Sequence, residues 1–193
     1  MAISFALPTL PTGLNPSGVE ILRLAQNAGL EFSVNGMAMD YGDPDNNPAT
    51  ETDMGRAAVE AALSISAQLL PLYLALSEAK RLAKVAVTPM IGLNDDASMF
   101  KLDDVNTVTR FAKLNPLSFI GIWSFNRDHP SSYTYVDLES SSNHEQKVAG
   151  EYTQLFVLGL APVTTAPGTN THSGRVWFGL HPATKNRRCE CGS

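Results

Sequence analysis

The stretch LEFSVNGMAMDY, Leu30 to Tyr41, decides the fold. Leu30 to Met39 is an apolar-rich run with β-type alternation, which predicts a strand. Three further short apolar runs lie on either side of it in the chain: Ile3 to Leu7 (ISFAL), Lys84 to Ile91 (KVAVTPMI) and Leu117 to Trp123 (LSFIGIW). Helical segments separate them. Val19, Leu22 and Ala25 share one helical face, and Gly29 is a natural stop. Gly55 to about Leu82 is rich in Ala, Leu, Ile and Ser, and Pro71 is expected to split it. Leu102 to Lys113 predicts a third helix, with Asp103 and Asp104 at its positive end. A fourth is expected around Glu145 to Phe156. Strand and helix alternate four times, which predicts an α/β fold with a parallel sheet and crossover helices. The near-continuous apolar strands fit burial on both faces.

Composition narrows the function. Of the 193 residues 44% are hydrophobic and 17% charged, a globular balance rather than a disordered one. The net charge is −5 with no Lys/Arg block before the last ten residues, so nucleic acid is not expected as a partner. No apolar run approaches the roughly 20 residues of a membrane helix. Met1 is followed by no basic region and only a short apolar run before Pro8, so no signal peptide is expected in this chain, and localisation stays unknown. Cys189 and Cys191 are too close for an unstrained bridge, and His129, His144, His172 and His181 are scattered, so neither a structural disulfide nor a metal or other cofactor is expected. From Leu158 onward the chain turns linker-like. Residues 1–157 are therefore read as the domain and 158–193 as a tail.

In a parallel α/β sheet, function gathers at the C-terminal ends of the strands. At the second strand's end, Asn35, Met37, Met39 and Tyr41 share one face in a period of two, with Gly36, Ala38 and Asp40 on the other. Such a face is either an amphipathic pocket wall or a core strand with a tied tyrosine. The third strand carries Met90 at its end and is followed by Asn94 and Asp95, which also serve as ordinary turn residues. The fourth ends in Trp123, followed by Asn126, Arg127 and Asp128. An indole face with polar neighbours suits sugar recognition; a core Trp with an Arg–Asp pair is the alternative. The run Asp40, Asp43, Asp45, Asn47 has Asn where an acidic motif needs its acid. As a calcium loop it fails too, with Pro48 in place of the expected Gly.

Taken together, SFALPTLPTGL, VNGMAMDYG, VTPMIGLND and GIWSFNRD, with a closing helix at 150–156, resemble strands five to eight of bacterial-type family 18 chitinases, over about residues 2–157. The resemblance implies a partial (β/α)8 TIM barrel and a substrate of chitin or β-1,4-N-acetylglucosamine chains. It implies a substrate-assisted retaining mechanism, in which a glutamate closing strand four protonates the leaving sugar and the substrate's acetamido oxygen is the nucleophile. Trp123 resembles the sugar-site floor. Asp40 and Tyr41 are alternative candidates for stabilising the acetamido group, because the family's Met-x-Tyr-Asp pattern fits here in two registers. Met37, Met39, Met90, Asn94, Asp95 and Arg127 are expected to bind substrate. The acid-bearing strand has no counterpart in this chain. The expectations are therefore a hydrolase fragment needing another half-barrel or self-association, a chitin-binding protein without cleavage, or a non-functional truncated product. The family is commonly secreted.

Overall fold

The computed structural model describes residues 3–42 and 53–162. Strand β1 (Ile3–Leu10) pairs in parallel with β3 (Phe32–Ala38), and β3 pairs in parallel with β4 (Val85–Pro89). The short β2 (Gly13–Leu14) folds back antiparallel on the end of β1, giving the order β2-β1-β3-β4. The run expected as a fourth strand lies beside β4 without becoming a regular ladder. It makes isolated parallel bridges at Ile120 and Trp123, and Ser118, Gly121 and Trp123 donate their N–H groups to Val85, Val87 and Pro89. A small hairpin of β5 (Gly92–Leu93) and β6 (Met99–Phe100) follows, with Asn94 and Asp95, read from sequence as possible turn residues, in the connection between its strands.

Helix α1 (Pro16–Asn27) begins where the Asn15 side chain accepts the Gly18 N–H at 2.8 Å, with Pro16 in the first turn where its missing donor costs nothing. It ends before Gly29, whose φ of +72° suits glycine. Helix α2 (Met54–Gln68) is capped by Asp53, which accepts from the Arg56 N–H at 2.7 Å. The chain then breaks ahead of Pro71 and resumes as the five-residue α3 (Glu78–Leu82), so the split expected from the proline is present. Helix α4 (Leu102–Leu114) matches its expected span within a residue. The last helix, α5 (Glu151–Leu160), starts later than expected and runs past Leu158, where the tail was expected to begin. Asp43, Asp45, Asn47, Glu51, both cysteines and residues 163–193 lie outside the described residues.

Burial alternates along β1 and β3. Phe32, Val34 and Ala38 pack with Leu22, Ala58, Ile65, Val105 and Phe156 from the helices, and Ile3, Phe5 and Leu7 lean on the same core. The opposite face is open: Ser4, Ala6, Pro8, Leu10 and Met37 are exposed, and Ser33, Asn35 and Thr88 half-buried. Burial on both faces, expected from the apolar runs, is met by helices on one face only among the described residues.

Asp104 joins α4 to α2. Its carboxylate is 7% exposed and accepts from the N–H of Gly55 at 2.9 Å and of Lys101 at 2.6 Å. Burial outweighs these bonds and pushes its pKa up to about 6. A carboxyl raised on folding holds its proton more tightly folded than unfolded. Stability is therefore present at low pH and lost as pH climbs from 3.8 to about 6. Urea unfolding should show this term as about 1 kcal/mol more stability at pH 5 than at pH 7. Asp104→Asn should remove it; an unchanged pH slope in that variant would count against the assignment.

Candidate functional site

Parallel pairing brings the C-terminal ends of β1, β3 and β4 to one end of the sheet. There a cavity of about 570 Å³ is lined by Pro8, Thr9 and Leu10 of β1, the turn and β2 from Thr12 to Pro16, Met37 of β3, and Met39 and Asp40 just after it. The β1–β2 wall was not anticipated from sequence, where Pro8 was read as ending the first strand. The spaced Pro8, Pro11 and Gly13 after an apolar run were the available signal for a tight turn beside a strand end.

Asp40 sets the geometry. Its φ is +48°, a left-handed conformation that Asp tolerates better than most residues. The period of two therefore stops there. Met37 and Met39 stay with the cavity, and Tyr41 is 5% exposed and belongs to the hydrophobic core shared with the helices. Its hydroxyl has no hydrogen-bond partner among the described residues. Burial, then the carboxylates of Asp96 and Glu60, push its pKa well up. The inward Tyr41 expected from strand alternation is thus corrected: a backbone that leaves the β region at residue 40 cannot carry the alternation to 41.

Asp40 is held from the β4–β5 side. Asn94 Oδ1 accepts the Asp40 N–H at 3.3 Å, and Asp40 Oδ1 accepts the Asp95 N–H at 2.7 Å. Asn94 is fully buried, and its Nδ2 donates to the carbonyls of Met90 and Gly92, each at 3.0 Å. It braces Asp40, and its own side chain is not free to reach a ligand. Asp95 is exposed. Partial burial raises the Asp40 pKa above the usual carboxylate range; the Asp95 N–H opposes this, and the charges of Asp95 and Asp96 add to it.

Trp123 stands on the neighbouring strand end. Its N–H donates to Pro89 O at 2.8 Å and its carbonyl accepts from Ile91 N at 2.9 Å, which bridges it to Met90. The Trp123–Ser124 peptide is cis. The ring is 51% exposed. Thr88 Oγ1 donates to Asn35 Oδ1 at 3.0 Å, adding a polar pair to the open face.

Arg127 is different. It is fully buried, and its guanidinium donates to the carbonyls of Ile91 at 3.2 Å, Leu93 at 2.7 Å and Asp137 at 2.5 Å. The expected contact with a sugar is corrected here: these donors are used on backbone carbonyls. Gly92, beside that cluster, has φ of +76°, and an added Cβ would lie 1.9 Å from Ser141 O. Only glycine fits there. Met37, Met39 and Asp40 therefore converge, with Met90, Asp95 and Trp123 on the adjoining strand ends and Asn94 as a brace. Tyr41 and Arg127 do not join them. The arrangement offers apolar thioether surface, an exposed indole and one carboxyl with a raised pKa.

No protein-family model matches the chain. It is 37% identical over 139 residues to "Endochitinase 11" of Metarhizium anisopliae, across 69% of this chain and 27% of that protein. It is 38% identical over 161 residues to "Probable bifunctional chitinase/lysozyme" of Escherichia coli (strain K12), across 81% of this chain and 18% of that protein. Its fold superposes, with a TM-score of 0.71 and 28% identity, on the catalytic domain of the hyperthermophilic chitinase from Pyrococcus furiosus, covering 81% of this chain and 49% of that one. The same values hold for catalytic-site mutants of that enzyme's active domain 2 complexed with chito-oligosaccharides. The chain thus spans well under a third of its curated relatives and about half of the solved domain. With this sequence identity and this parallel βα arrangement, the chain is a relative of the family 18 glycoside hydrolases of the chitinase type.

Proposed function

We propose that the chain forms the strand-five-to-eight part of a chitinase-type (β/α)8 barrel and engages β-1,4-linked N-acetylglucosamine chains. The observation that carries this is the convergence of Met37, Met39 and Asp40 on one cavity, one strand end away from the Met90–Trp123 bridge. The open sheet face supports a barrel wall: its small and polar residues, Ser4, Ala6, Ser33, Asn35 and Thr88, are uncovered by any described helix. On this reading the barrel part extends to the end of α5 at Leu160, three residues beyond the boundary expected at 157, and the remainder is read as a tail.

Trp123 floors the sugar, stacking on the apolar C–H face of a pyranose. Asp40 is braced by Asn94 and the Asp95 N–H, which leaves its second carboxyl oxygen for the acetamido group, and partial burial raises its pKa above the ordinary value. That role fits the register in which Asp40, not Tyr41, is the acetamido partner. The acetamido oxygen is the nucleophile in this scheme, and a separate carboxylic acid must protonate the leaving oxygen. Asp40 is the one carboxylate among the described cavity residues. The protonating acid is therefore supplied from outside them. Binding without cleavage is the second reading, and this single carboxylate is what favours it.

The test is turnover of a fluorogenic chitobiose or chitotriose by the purified chain, alongside chitohexaose binding by calorimetry. Binding with negligible turnover is expected, since general acid catalysis alone supplies roughly 10²–10⁴-fold. Clear turnover would overturn the external acid and direct attention to residues 43–52. Absence of binding would overturn the sugar-site reading.

A further inference from the structure

The β1–β2 wall of the cavity depends on a residue far from it in the chain. Strand β2 has two residues, and its pairing with β1 covers only Thr9 with Leu14 and Leu10 with Gly13. A pairing that short does not hold itself together in water. Its outer edge is held by Gln68, the last residue of α2. The Leu14 N–H donates to Gln68 Oε1 at 2.8 Å, and Gln68 Nε2 donates back to Leu14 O at 2.9 Å. One side-chain amide thus satisfies both backbone groups of Leu14, as a neighbouring strand would. One turn earlier on α2, Ser64 Oγ donates to Pro11 O at 2.8 Å.

The fit is close. Gly13 has φ of +105°, and an added Cβ would lie 2.6 Å from Gln68 Oε1, so glycine is what lets the amide approach. Leu14 is 5% exposed, and buried backbone groups that lose their partner carry the full cost of desolvation. On the same turn Thr12, Asn15 and Pro16 are exposed and line the cavity. Asn15 Oδ1 is engaged by the Gly18 N–H, so its Nδ2 is the part of that side chain that can donate to a ligand. Gln68 itself is not among the lining residues.

We propose that Gln68 is a positioning residue for the sugar cavity: through Leu14 it holds the Thr12–Pro16 wall in the shape that receives a β-1,4-linked N-acetylglucosamine chain. This rests on the sugar-binding reading above. A wall fixed from α2 is ordered before the sugar arrives, which lowers the entropy cost of binding. Without the amide pair the turn must be ordered at the moment of binding, and affinity falls although no contact to sugar has been removed.

The experiment measures chitohexaose affinity by calorimetry for the full chain, Gln68→Ala and Gln68→Glu, under conditions where urea unfolding shows each to be folded. Gln68→Ala should lose about tenfold. Gln68→Glu separates positioning from general packing. A protonated glutamic acid offers one donor and one acceptor, as the amide does, whereas the ionised form only accepts and faces Leu14 O with a negative charge. Its affinity relative to the unmodified chain should therefore recover at about pH 4 and fall by pH 7, because an ordinary glutamate titrates at about 4.3. Taking that ratio at each pH cancels the titration of Asp40, Asp95, Asp96 and Asp104, which both proteins share. On the unmodified chain, chitohexaose should shift the amide NMR signals of Gly13 and Leu14. Native affinity in Gln68→Ala, a flat ratio for Gln68→Glu, or unmoved amide signals would each overturn the positioning role and leave the cavity standing. An unmodified chain that binds no chitohexaose would overturn the sugar reading, and the role of Gln68 with it.

Discussion

Arg127→Met is expected to destabilise the chain by about 3–5 kcal/mol, a large fraction of the roughly 5–15 kcal/mol available to a folded domain. The guanidinium spans three backbone carbonyls, on Ile91, Leu93 and Asp137, from a fully buried position. Burial pulls its pKa below the ordinary value, and the nearby carboxylates of Asp95, Asp137 and Asp40 act against that pull. Methionine fills comparable volume but leaves the three carbonyls without donors, and each buried orphan costs about 1–3 kcal/mol. Arg127→Lys should rescue little, because one ammonium cannot reproduce a planar fork. Urea unfolding checks both variants. A lysine variant of native stability with weakened sugar affinity would reverse the assignment and return Arg127 to the sugar. The same loss should loosen the 129–139 loop, since Asp137 is one of its anchors.

Trp123→Ala should weaken chitohexaose binding about 10–100-fold, equivalent to ~1.5–3 kcal/mol, with stability nearly unchanged. The ring is half exposed, and the strand end is held by backbone bonds to Pro89 and Ile91 that alanine retains. Stacking on a flat ring is therefore the main thing removed. Trp123→Phe should recover part of the affinity. Calorimetry on folded variants decides the matter: unchanged affinity in the alanine variant would remove Trp123 from the site, and a large drop in stability would make it a packing residue.

Asp40 and Asn94 form a pair of unequal partners. Asn94 was expected to touch substrate, yet it is fully buried and reaches the site only through the Asp40 N–H. Asn and Asp after a strand are legible in sequence as turn formers. Which of them faces the cavity depends on backbone angles that a residue list does not carry.

The amino-acid sequence by itself determined the βα alternation, the helix stop at Gly29, the break before Pro71 and the set of strand ends where a site can form. These are local effects: apolar periodicity, capping chemistry and the dihedral limits of Gly and Pro act within a few residues. The four strand-end motifs also carried the resemblance to chitinases, which the relatives in fungi and bacteria bear out. The tertiary structure alone decided the rest. Tyr41 went to the core because Asp40 leaves the β region at φ of +48°. Arg127 became an internal clamp because the Ile91 and Leu93 carbonyls, 36 and 34 residues before it, meet the Asp137 carbonyl around its guanidinium. The β1–β2 wall joined the cavity because parallel pairing of β1 with β3 carries Pro8 alongside Met37. These outcomes draw on segments far apart in sequence, since Asn94 and Asp95 hold Asp40, Ile91 and Leu93 meet Arg127, and β1 pairs with β3, and that is set by packing of the whole chain rather than by any window of it.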